Sequence, residues 1–158
     1  MPIIANDSII KFGTQDEVTT GTPATVADGA FSVAGDVDSV WSNSDDAELG
    51  GAVLKLQFDT TMPTVGSVAL FARLINMQST NDAPIPDANY EHHFVGSFPI
   101  DFGETADTDF YTHIPQFKMP MMQSNQTIEW YIKNNGSGQT IGTGWQLFIM
   151  PKTRGPRV

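Results

Sequence analysis

Residues 52–58 read Ala-Val-Leu-Lys-Leu-Gln-Phe, residues 128–133 read Ile-Glu-Trp-Tyr-Ile-Lys, and residues 145–150 read Trp-Gln-Leu-Phe-Ile-Met. In each stretch every second side chain is large and apolar: Leu54, Leu56 and Phe58; Ile128, Trp130 and Ile132; Trp145, Leu147 and Ile149. A period of two places those residues on one face of an extended strand, with Lys55, Gln57, Glu129, Tyr131, Lys133, Gln146, Phe148 and Met150 on the other. No stretch of comparable length carries a helical stripe. From residue 50 to residue 150 such segments are separated by Gly, Pro, Asn and Asp, the residues that turns use. The pattern predicts an all-β domain: an antiparallel β-sandwich of about eight strands, most specifically a jelly roll, with extended terminal arms.

Working outward, residues 68–77 are apolar on both faces except at Arg73, as a central strand covered on two sides requires, and a neighbouring subunit would supply the second cover. Residues 78–89 form a polar loop in which Pro84 and Pro86 hold Ile85 extended, a stiff contact surface. A strand over 90–100, an acidic connection over 101–109 and a short strand over 110–114 follow. Pro115 and Pro120 bracket Phe117, Lys118 and Met119 as an edge strand. Asn134, Asn135, Gly136, Ser137, Gly138 and Gly142 suit a hairpin joining the last two strands. Before residue 50 the reading weakens: a brief strand at 39–41, and, over 13–35, short edge strands anchored by Val18, Val26, Phe31 and Val33. The organisation expected is an N-terminal arm or edge strand at 1–12, a sandwich domain at 13–151 and a basic tail at 152–158.

At 158 residues the chain suits one domain able to hold a core by packing alone. It has no cysteine, which excludes disulfides, thiolate metal sites and thiol nucleophiles. A net charge of −10 argues against nucleic acid, whose phosphates it repels, and favours a basic or neutral partner. Lys152, Arg154 and Arg157 gather three of the eight basic residues in the tail, either as a solvated terminus or as an arm that docks on an acidic surface. Ile3, Ile4, Ile9 and Ile10 are interrupted by Asn6, Asp7 and Ser8, so no apolar run has the length of a membrane span or the form of a signal peptide. Cytoplasmic synthesis and no membrane partner are the expectation.

Candidate chemistry is thin. His92 and His93 point to opposite faces if their strand is regular, and with Asp87, Glu91 and His113 they offer no spacing that converges on a metal. Asp107 and Asp109 share a strand face in principle, but their hydrophilic setting leaves ordinary acidity. Asp45, Asp46 and Glu48 do not follow calcium-loop spacing. Gly136-Ser137-Gly138 is a turn and lacks the nucleophile-elbow pattern. The expectation is no enzyme, no cofactor and no metal. Trp130 and Trp145 are in phase with core residues, whereas Tyr131, Tyr90 and Trp41 are candidates for a surface that stacks on sugar rings.

The segments Pro86-Asp87-Ala88-Asn89-Tyr90, His92-His93-Phe94-Val95-Gly96-Ser97-Phe98, Glu129-Trp130-Tyr131-Ile132-Lys133-Asn134-Asn135 and Gly144-Trp145-Gln146-Leu147 resemble small virion proteins of tailed bacteriophages, over roughly residues 50–151. The resemblance implies a small β-sandwich, often a jelly roll, that decorates or cements the icosahedral head by binding between major capsid subunits. On that reading the chain is a homo-oligomer on the capsid surface, with Ile3, Ile4, Tyr131, Lys152, Arg154 and Arg157 as candidate partner-binding residues. A carbohydrate- or receptor-binding module of a phage tail is the alternative.

Overall fold

The computed structural model describes residues 8–38, 41–43, 47–77, 81–89, 93–120 and 127–156. It is all-β, without a helix among the described residues, and has eight strands: β1 Ser8–Phe12, β2 Asp16–Glu17, β3 Leu49–Leu56, β4 Ser67–Ile75, β5 Phe94–Pro99, β6 Phe110–Lys118, β7 Thr127–Asn135 and β8 Gln146–Pro156. They form two antiparallel sheets packed as a sandwich. The larger runs β1-β8-β3-β6, with β2 also on β8; the smaller runs β5-β4-β7. β1 and β2 follow one edge of β8, joined by Gly13 N–H donating to Pro151 O at 2.8 Å and continued by Val18 N–H to Leu147 O at 2.9 Å.

The alternation read in the sequence sets which faces meet. Leu54, Leu56, Leu147 and Ile149 from the larger sheet pack against Val68, Leu70, Ile128 and Ile132 from the smaller one, all buried. Trp130 lies among them, with the rings of Trp41 and Phe117 edge-on at 5.6 and 5.9 Å. Apolar area withdrawn from water is the main stabilising term, and aromatic contacts add to it.

β4 is covered on both faces, as its composition requires, but the second cover comes from the same chain and not from a neighbouring subunit. On its outer side Ala69, Phe71 and Tyr131 form a second buried cluster beneath Phe31. The Phe31 and Phe71 rings meet edge-on at 5.0 Å, and the Lys133 ammonium sits 5.2 Å from the Phe31 ring centre. Ala83, also buried, donates its N–H to Leu74 O. Residues 19–37 thus do more than flank the sandwich. Phe31 bridges Lys133 and Trp41 bridges Ile128 on the free edge of β7, while Val26 bridges Ile141 in the connection beyond it. Both oxygens of the buried Asp36 carboxylate accept backbone N–H groups, from Ala24 and Val33, and fasten the turn where Gly35 adopts φ 100. Val18 and Val26 are buried anchors as expected; Val33 is exposed.

Two further expectations are corrected. The connection over residues 136–145 is no hairpin, because β7 and β8 belong to different sheets; Ile141 and Trp145, both buried, draw it across the end of the sandwich. The segment at 117–119 is no separate strand, since β6 continues through Pro115 to Lys118 on the sheet edge, where an absent N–H costs no ladder bond.

Candidate interaction surface

The outer face of the larger sheet has no covering layer among the described residues. Opposite residues of an antiparallel pair share a face, so the register builds this surface row by row. At one end Ile10 lies opposite Arg154, then Phe12-Lys152-Leu49-Lys118 spans four strands, then Met150 lies beside Gly51. Beyond come Glu17-Phe148-Val53-His113 and Gln146-Lys55-Tyr111. Ile10 is 43 % exposed, and Phe12 and Tyr111 are each 67 % exposed, while Leu49, Val53, Phe148 and Met150 are half-buried. The face therefore has an apolar middle, a cationic end made by Lys118, Lys152 and Arg154, and a mixed end. At the mixed end Lys55 pairs with Asp109 at 2.6 Å, and Glu17 accepts from Gln146 at 2.8 Å. The hydrogen bond to Asp109, assisted by its charge, outweighs partial burial and raises the Lys55 pKa.

Lys152 is held across the sheet. Its ammonium donates to Pro115 O on β6 and lies 5.2 Å from the Phe12 ring centre on β1. Gly51 makes room for it, since a β-carbon there would stand 3.1 Å from the Lys152 Cε and Nζ. Gly51 within a strand is the sequence signal for a close approach of this kind.

Of the residues proposed as partner contacts, Lys152 and Arg154 lie on this face, within a strand and not in a tail: residues 152–156 pair with Ser8–Phe12. Ile3, Ile4 and Arg157 lie outside the described residues, as do Tyr90, Glu91 and His92. Tyr131 is corrected. It is fully buried, and its hydroxyl donates to Glu129 at 2.7 Å, with Arg73 2.6 Å from the same carboxylate oxygen. Trp41 is buried as well, its indole N–H donating to Asp16 at 3.3 Å. Neither can stack on a sugar: Tyr131 lies beneath Phe31 on the outer face of the smaller sheet, which the alternation left open, and Trp41 packs against Trp130 in the core between the sheets.

The remaining candidates disperse. His93 has φ 72, and His113 sits on β6 opposite Val53. No group of three potential metal ligands converges among the described residues. Asp107 occupies a turn with φ 62, so it shares no strand face with Asp109. The Ser137 hydroxyl donates to Gln139 O and accepts from Gln139 N–H, which ties it into its turn. Compared with protein-family models, curated proteins and solved structures, the chain gives no match.

Proposed function

We propose that this protein is a structural component of a tailed-phage virion, made in the host cytoplasm, that decorates or cements the capsid by binding between major capsid subunits. The observation that carries the reading is the exposed outer face of the larger sheet, where Ile10 and Phe12 stand beside Lys152 and Arg154 in a chain of net charge −10. Apolar side chains beside a cationic end suit a protein surface that carries acidic groups, and a lattice presenting many such sites makes weak contacts sufficient. Homo-oligomerisation on that lattice belongs to the same proposal. The strand order supports the jelly-roll reading within it: β1-β8-β3-β6 faces β7-β4-β5, with Phe31 and Trp41 bridging the free edge of β7 where an eighth sandwich strand would lie.

Immunogold labelling of virions purified from the source tests the proposal. Label spread over the head supports decoration. Label confined to the tail replaces it with the receptor-binding reading, for which Tyr111 is then an exposed aromatic residue to mutate. Label absent from particles removes both.

A further inference from the structure

Building on the reading of this chain as a protein that binds another protein, we infer that the free edge of β1 receives an extended segment of the partner, with carboxylates between apolar residues, as an added strand of the larger sheet. Hydrogen-bonded and non-bonded pairs alternate along an antiparallel ladder. Gly13 N–H donates to Pro151 O, so the pairs Lys11 with Thr153 and Ile9 with Gly155 continue the bonded set. The backbone N–H and C=O groups of Ile10 and Phe12 therefore point away from β8, along an edge that no described strand covers. Unpaired strand edges are templates for another strand, and this one has neither proline nor bulge to blunt it.

Charge selects the occupant. Lys11 is exposed on one side of the edge, and Arg154 is exposed on the other side, opposite Ile10. In a self-paired edge centred on Ile10, the two Lys11 side chains would be diagonal neighbours on one face, and like charges so placed repel. A strand with Asp or Glu opposite Lys11 avoids that repulsion, and apolar residues in alternation with the acids would extend the surface made by Ile10 and Phe12.

The test uses the full isotope-labelled chain titrated with two short synthetic peptides, one alternating valine with glutamate and one alternating valine with lysine, with amide shifts and exchange rates as readout. The glutamate peptide should perturb and protect the Ile10 and Phe12 amides and bind at least about tenfold more tightly than the lysine peptide. Ile10→Pro removes an N–H that β8 does not use, so it should abolish binding while the other strands keep their shifts. Lys11→Glu should reverse the preference and guards against misfolding of the proline variant. Equal binding of the two peptides, binding of neither, or perturbation confined to other strands overturns the inference. A concentration-dependent dimer that Ile10→Pro dissociates overturns it too, by placing a second copy on the edge. The functional reading fails separately: capsid binding at full strength by Ile10→Pro removes only the edge inference, and absence of capsid binding by the unmodified chain removes only the capsid proposal.

Discussion

At the scale of single residues, stability here depends on positions where one atom more, or one proton less, cannot be accommodated. Gly66 has φ 94, and a β-carbon on it would stand 2.7 Å from Ser137 N and 2.8 Å from Gly136 O. Gly66→Ala should therefore cost roughly 1–3 kcal/mol in thermal unfolding. Gly136→Ala, at φ 70 but with open space around it, should show the smaller backbone cost of about 1 kcal/mol alone. Tyr131 links residue chemistry to pH. Burial first, and then its hydrogen bond to Glu129, push its pKa well above the ordinary value of 10.0. Because the folded pKa is the higher one, the associated stability is complete below the unfolded value and is lost as pH rises past it. Denaturant titrations between neutral pH and pH about 11 should show a loss approaching 1.4 kcal/mol per pH unit above 10 in the native chain. That component should be missing from Tyr131→Phe.

At the scale of elements, β4 and β7 are locked by more than their ladder. Arg73 sits opposite Glu129 across the pair, and its guanidinium donates to Glu129 at 2.6 Å and to Ala83 O at 2.7 Å. Asp82 stands 3.6 Å away. Glu129 is buried, so deleting the arginine strands a carboxylate away from water. Arg73→Met should cost roughly 3–5 kcal/mol by chemical denaturation, and the double variant Arg73→Met, Glu129→Leu should recover much of it, because the desolvated charge is then gone. The sequence did expose the strands: β7 and β8 have the faces that their period of two predicts, since alternation is a local property of an extended chain. It could not expose the pairing of Arg73 with Glu129, 56 residues away. Cross-strand register comes from which strands meet, and nothing local in the chain encodes it.

At the scale of the whole molecule, β1 and residues 152–156 of β8 are one structural unit. Residues 152–156 pair only with β1 beyond Lys152, where β3 begins at Leu49. Removing residues 152–158 should release β1 as well, and hydrogen exchange at Ile9 and Lys11 should accelerate to near the free-peptide rate while the amides of β4 and β7 stay protected. Loss of protection throughout would mean that the ribbon supports the core. The same deletion should weaken capsid binding under the proposed function, measured by co-sedimentation with shells lacking this protein. By itself the sequence determined the fold class, the main apolar strands after residue 50, and the burial of Trp130 and Trp145, because apolar periodicity and turn residues act over a few positions. Only the tertiary structure decided that Phe31 covers the outer side of the smaller sheet, that Tyr131 is sealed beneath it, and that Ser8–Phe12 and residues 152–156 form a ribbon beside an open face. Those outcomes depend on contacts between segments far apart in the chain, and a single apolar anchor such as Phe31 gives no sign of which surface it will cover.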